Sequence, residues 1–297
     1  MSTQVLLAES AGFCMGVSLA LGKLDKALEN QTSQRIFTYG PIIHNPQVLE
    51  YYHGKGVKII DNWDEPRPGD MVLIRAHGVP LQVEEKLREK NIDILDATCP
   101  KVKKAQLLIY KNSAVSDRLL IYGELDHPEV KGLLSYAQCE AFLFENMQEF
   151  KKIALAPRDR YCLVSQTTQD RQEFLSIASE LKHSQGNEII TLDTICDATK
   201  DRQNETIKIA GQVECMFVVG GRNSGNTRRL YQVARKYCPR CLHIETKEEI
   251  DPEMVKGCSK VGLTAGASTP NSTIQSIYQY LHRIINSQDP SLTTRRS

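Results

Sequence analysis

The sequence has no long apolar run, no excess of either charge, and no glycine-rich loop ending in Gly-Lys-Ser/Thr. Each absence removes a class of protein. No stretch approaches the roughly 20 apolar residues that a membrane span requires. A net charge of +1 offers neither the basic face of a nucleic-acid groove nor an attraction to anionic lipid. The start, MSTQVLLAESAGFC, lacks the basic n-region of a secretory signal. The stretch GGRNSGN lacks the end of a phosphate-binding P-loop, which argues against a nucleoside triphosphatase. With 41% hydrophobic and 25% charged residues, nothing suggests a disordered chain either. The expectation is a cytoplasmic globular protein with no membrane or nucleic-acid partner. In a reducing compartment, nine cysteines point to metal binding or catalysis rather than to a disulfide framework.

What is present is a repeat. Cys14, Cys99 and Cys196 are each followed by a helix-like segment and then by a short apolar run closing on glycine: RIFTYG, RLLIYG and CMFVVGG. Such runs read as buried strands with tight loops behind them. The loops PIIHNPQ, ELDHPEV and RNSGNTRR lead into further helical segments, then second strands VKIID, EAFLF and CLHIE. Third strands MVLIRAHG, YCLVSQTT and KVGLTAGAS come next, each with a helix behind it. IDILDATC and EIITLDTIC add a fourth strand to the first two repeats, and the matching strand of the third stands at the chain start as QVLLAESAGFC.

The alternation predicts an α/β fold of three similar modules with parallel sheets. Their boundaries fall at 14–98, 99–195 and 196–285, the last completed by residues 1–13, with a flexible tail over 286–297. Ligand sites in such sheets lie beyond the carboxyl ends of the strands, which is where all three repeat cysteines fall. Three related modules could therefore direct them to one centre. Three thiolates suit a zinc with one further ligand, or a four-iron cluster with one iron left without a protein ligand. Cys162 and Cys215 read as core, and the Cys238/Cys241 pair is at most half of a zinc or redox motif.

The same strand ends carry His44, His77 and His127 together with Thr167, Thr168, Ser224, Asn226 and Ser268. Imidazole, hydroxyl and amide donors beside helix starts suit an oxygen-rich anion such as a diphosphate. Glu129, two residues after His127, reads either as a surface charge at a helix start or as a carboxyl kept protonated in a dry pocket to serve as a general acid.

The motifs GFCMGV, HN at 44–45, AHGV, DATCP, HPEV, QTT, ICDAT, NSGN and TAGAS, in this order over nearly the whole chain, resemble the LytB-type 4-hydroxy-3-methylbut-2-enyl diphosphate reductases that end the non-mevalonate isoprenoid pathway. The resemblance implies three modules in pseudo-threefold arrangement around an oxygen-sensitive [4Fe–4S] cluster held by Cys14, Cys99 and Cys196. It implies diphosphate contacts from His44, His77, His127, Thr167, Thr168, Ser224, Asn226 and Ser268, and a proton relay from Glu129 through Thr167. It implies an allylic diphosphate substrate, isopentenyl and dimethylallyl diphosphate as products, and reduced ferredoxin or flavodoxin as electron donor. Two positions depart from the family's commonest pattern. Gly225 replaces a serine, leaving only a backbone contact, and Asp126 replaces a glycine in the His127 loop. A zinc hydrolase of a phosphorylated substrate and a metal-stapled binding module are the rival readings.

Overall fold

The computed structural model describes residues 4–30, 34–183 and 188–287. In chain order the elements are β1 (Gln4–Leu7), α1 (Met15–Glu29), β2 (Ile36–Tyr39), α2 (Pro46–Gly54), β3 (Lys58–Ile60), β4 (Met71–Ile74), α3 (Leu81–Glu89) and β5 (Asp93–Asp96). There follow α4 (Pro100–Ser113), β6 (Arg118–Tyr122), α5 (Pro128–Leu134), β7 (Glu140–Phe144), α6 (Met147–Phe150), β8 (Arg160–Ser165), α7 (Arg171–His183) and β9 (Glu188–Thr191). The last part holds α8 (Asp197–Ala210), β10 (Cys215–Val219), α9 (Gly225–Tyr237), β11 (Cys241–Ile244), β12 (Lys260–Ala265) and α10 (Asn271–Ser287), with two short 3-10 turns between β11 and β12.

The strands form three four-stranded sheets, ordered β3-β2-β4-β5, β7-β6-β8-β9 and β11-β10-β12-β1, and every pairing is parallel. The order within each sheet is the same: second, first, third and fourth strand of its repeat. In the last sheet the fourth place is taken by β1, whose Gln4 pairs with Lys260 and Leu7 with Leu263.

Helices cover both faces, and the inner strands β2, β4, β6, β8, β10 and β12 are accordingly buried along nearly their whole length rather than at alternate residues. β10 is buried at every residue. Phe217 and Val219 pack with Ile274, Ile277 and Leu281 of α10, while Met216 and Val218 turn to Leu230 and Ala234 of α9. β6 divides in the same way, Leu120 and Tyr122 facing Phe174 and Ile177 of α7, Leu119 and Ile121 facing Ile109, Val130 and Leu133. Full burial of each such side chain stabilises the fold by about 1.5–3 kcal/mol. In the remaining sheet Phe37, Tyr39, Val72 and Ile74 meet Val83 and Leu87 of α3.

Two compact units result. One joins β1, the segment His44–Val48 and the chain from Asp197 onward; the other runs through Met15–Ile43 and Leu49–Cys196. Helix α10 continues to Ser287, so the first two residues of the expected tail are helical. The rest of that tail lies outside the described residues. No helix among the described residues is long and apolar enough to cross a membrane.

Candidate active site

The strand ends repeat at the level of single backbone bonds. After each first strand a glycine N–H donates to the last carbonyl of the second strand: Gly40 to Ile60 at 2.6 Å, Gly123 to Phe144 at 2.9 Å, Gly220 to Ile244 at 2.9 Å. After each third strand the chain makes one tight turn, closed by Gly78 N–H to Arg75 O at 2.9 Å, Gln169 to Gln166 at 3.2 Å and Thr269 to Gly266 at 3.1 Å. The second residue of each turn then accepts from a repeat cysteine: Ala76 from Cys99 N–H at 2.9 Å, Thr167 from Cys196 at 3.0 Å, Ala267 from Cys14 at 3.2 Å. Three thiols thus stand at equivalent points, each one residue before a helix.

No disulfide joins any of the nine cysteines. Cys14, Cys99 and Cys196 are half-buried, as is Cys139 just before β7, whereas Cys162, Cys215, Cys238, Cys241 and Cys258 are buried. Burial pushes the thiols of Cys162, Cys215 and Cys241 up to about 12. Such thiols stay protonated and inert. The Cys238/Cys241 pair belongs with them: Cys238 ends α9, and its Sγ lies 3.7 Å from both the Val213 and Arg240 carbonyls.

In the larger unit four predicted residues meet. His127 precedes α5 and its Nδ1 accepts from the Glu129 N–H at 3.1 Å, so a neutral ring carries its proton on Nε2 and can donate from there. The His77 and His127 rings meet edge to face with centroids 5.2 Å apart. Glu129 is not a surface carboxylate. It is 1% exposed, its Oε1 accepts from the Thr167 N–H at 2.6 Å, and its Oε2 accepts from the Thr167 hydroxyl at 3.0 Å. Burial pushes the carboxyl up to about 7, against the pull of both Thr167 bonds and with a small push from Glu124. A group divided between its protonated and ionised forms at neutral pH suits proton transfer. Thr168 accepts from the Gln166 amide at 3.1 Å.

In the smaller unit the Ser268 hydroxyl lies 3.3 Å from the His44 carbonyl and 3.4 Å from the Ser224 hydroxyl. Ser224 precedes α9, and its side chain accepts from the Thr227 N–H. Gly225 opens that helix, so the position contributes backbone alone. Asn226 is 7% exposed, and its amide nitrogen has no hydrogen-bond partner among the described residues. A buried, unsatisfied donor is costly and calls for an acceptor. Asp126, the other departure, is fully exposed beside Lys131 and does not take a positive φ, so the turn does not need the glycine it replaces.

Three organising residues were not legible as such. Asn45 holds the start of α2 through its side chain, 3.1 Å from the Val48 N–H. Gln166 is fully buried and its carbonyl oxygen accepts from the Glu124 N–H at 3.0 Å, tying the loop after β6 to the turn after β8. Arg75 is buried in the corresponding turn after β4. The signal for Gln166 and Arg75 was their shared place, the first residue after a third strand.

The fold and these loops define an α/β protein of three alike sheets whose strand ends each carry a thiol, with imidazoles, hydroxyls and one proton-holding carboxyl among them. The profile of the LytB protein family matches residues 5–282. The 4-hydroxy-3-methylbut-2-enyl diphosphate reductase of Solidesulfovibrio magneticus is 49% identical over 282 residues, covering 94% of this chain and 99% of the relative. The Aquifex aeolicus protein of that name is 36% identical over 96% of this chain and 98% of its own. A solved structure of the E-1-hydroxy-2-methyl-but-2-enyl-4-diphosphate reductase from Plasmodium falciparum superimposes with a TM-score of 0.88 at 27% identity, covering 98% of this chain and 90% of that one. A structure titled as the terminal enzyme of the non-mevalonate pathway gives 0.67 at 36% identity, over 95% and 100% of the two chains. The chain belongs to the LytB protein family.

Proposed function

We propose that the chain catalyses the two-electron reductive dehydroxylation of 4-hydroxy-3-methylbut-2-enyl diphosphate to isopentenyl and dimethylallyl diphosphate, the last step of the non-mevalonate isoprenoid pathway. Near-complete coverage at 49% identity to a reductase of that name supports the reaction. The observation that carries the chemistry is Glu129, a fully buried carboxyl that holds a proton near neutral pH against two donors.

The cofactor is a [4Fe–4S] cluster held by Cys14, Cys99 and Cys196. The donor set fits: three soft thiols, half-buried, at equivalent backbone positions, each at the start of a helix whose N-terminal dipole favours negative charge. When bound, such a cluster would pass on, one at a time, the two electrons of an external donor and, with three protein ligands, would offer a Lewis-acidic iron. Reduced ferredoxin or flavodoxin is the donor class. The site of action is the cytoplasm, where thiols remain reduced.

The protein's part is placement and proton delivery. His44, His77 and His127, with Thr168, Ser224, Asn226, Ser268 and the Gly225 backbone, hold the diphosphate and convert its binding into orientation. His127 can donate from Nε2 because Nδ1 is occupied by the Glu129 N–H. Glu129 delivers a proton through the Thr167 hydroxyl, 3.0 Å from its Oε2, to the departing hydroxyl, which leaves as water. The reduction consumes two electrons and two protons. The second proton ends on carbon, and its position decides between the two products.

Iron, zinc and acid-labile sulfide per chain after anaerobic purification test the reading, followed by turnover with a chemical reductant. About four iron and four sulfide are expected. Zinc without sulfide would favour a hydrolase, and a loaded cluster without reduction of the allylic diphosphate would end the assignment.

A further inference from the structure

The turn after β4 buries a cation with no carboxylate paired to it among the described residues. Arg75 is 9% exposed, its Nε lies 3.5 Å from the Gly78 carbonyl, and the one titratable group acting on it is Tyr39. Among the described residues it forms no ion pair. Buried charges are ordinarily paired, because the loss of hydration is otherwise uncompensated. Two other arginines of this chain are held by more bonds, the half-exposed Arg35 by a carboxylate and the buried Arg202 by carbonyls. Arg35 makes two bonds of 2.8 and 2.6 Å to Asp70, and the buried Arg202 donates to the Gly12 and Ala265 carbonyls at 3.0 and 2.9 Å. Burial pushes the Arg75 guanidinium down to about 10, which still leaves it a cation at neutral pH.

The surrounding backbone is shaped around this group. Gly40 follows β2 with φ +68, and a Cβ there would lie 2.1 Å from the Arg75 Nη1 and 2.7 Å from Cζ. The guanidinium therefore lies against the glycine, beyond the carboxyl ends of β2 and β4, where parallel sheets bind ligands. The corresponding turns carry no charge. Gln166 is neutral and its amide is hydrogen-bonded at both ends, and Gly266 has no side chain.

We propose that Arg75 is an anion-anchoring residue, its guanidinium supplying the counter-charge for a bound diphosphate from beneath the His77 turn, with Gly40 present to admit it. The ligand class rests on the function proposed above. A merely structural Arg75 would hold the Gly78 turn and leave binding unchanged.

Isothermal titration of the anaerobically purified holoenzyme with inorganic diphosphate, at two salt concentrations, tests this. Arg75→Gln, which copies the neutral residue of the turn after β8, should bind about tenfold more weakly or worse, with a shallower salt dependence. Its melting temperature without ligand should equal or exceed that of the wild type, since an unpaired buried charge is removed. Arg75→Lys, which keeps the charge, should stay within about threefold of the wild type. A folded Arg75→Gln protein that binds within twofold of wild type overturns the proposal. Should the Gln variant not fold, a folded Lys variant losing tenfold or more overturns it instead. A wild type with no affinity for diphosphate defeats the diphosphate clamp and this inference together, whereas equal binding by both proteins defeats this inference alone.

Discussion

The turns Arg75-Ala76-His77-Gly78 and Gln166-Thr167-Thr168-Gln169 share one backbone plan and carry different chemistry. Each follows the third strand of its sheet, each closes with a bond from its fourth N–H to its first carbonyl, and each accepts a cysteine N–H at its second residue. The first turn places a buried cation and an imidazole on that frame. The second places a satisfied amide and a hydroxyl that holds Glu129. A repeated fold thus supplies equivalent positions, and substitution at those positions gives one turn the cation and imidazole that the proposed anion binding needs and the other the hydroxyl on a buried carboxyl that the proposed proton delivery needs. Geometry is shared because the backbone bonds do not depend on the side chains, and roles diverge because the side chains do not enter those bonds.

Removing the proton from the second turn should have the largest effect. Glu129→Gln keeps the shape and the Thr167 N–H bond but has no acid, so steady-state turnover with a chemical reductant should fall about 10²–10⁴-fold while diphosphate still binds. Full activity would end the proton-donor role.

The same carboxyl makes folding stability depend on pH. Its pKa rises from 4.5 to about 7 on folding. Below the unfolded value both states hold the proton; between the two values only the folded state does, so stability declines as pH rises through 7. The decline is on the order of 3 kcal/mol at most. Denaturant midpoints between pH 4 and 8 should show it in wild type and lose that component in Glu129→Gln.

Thr167→Val acts on the frame of that proton. It keeps the N–H bond and removes a hydroxyl that lowers the carboxyl's pKa. The alkaline limb of the pH–rate profile, where Glu129 loses its proton, should move to higher pH and turnover should fall by roughly tenfold, the scale of one hydrogen bond to a charged group. An unmoved profile would separate Thr167 from the proton path. The smallest effect belongs to Asp126→Gly. Asp126 is exposed and free of backbone strain, so the melting curve should correspond to a change within about 0.5 kcal/mol.

Much of this comparison was legible in the residues. Runs such as LLIY at 119–122 and CMFVV are buried at every residue because helices cover both faces of their sheets, and that pattern needs no distant contact to be read. The cysteines stood out because each stands between a strand and a helix, in a loop a few residues past the strand end and one residue before the helix. His77, His127 and Glu129 drew notice as chemistry-bearing residues at strand ends. Thr167 did as well, but its grip on Glu129 spans 38 residues of sequence and no local signal carries it. Gln166 and Arg75 shared a place after a third strand, but a glutamine or an arginine in a turn reads as solvated until its burial is known.

By itself the sequence determined the α/β class, the repeating order of strand and helix, and which residues carry reactive groups, because these follow from local hydrophobic period, turn residues and side-chain chemistry. Tertiary structure decided the states of those groups. It made Glu129 a weak acid, sent five thiols into the core while leaving Cys14, Cys99 and Cys196 half-buried, and left Arg75 without a counter-charge. Dehydration and partnership set those states, and both depend on what the fold brings near a residue from elsewhere in the chain.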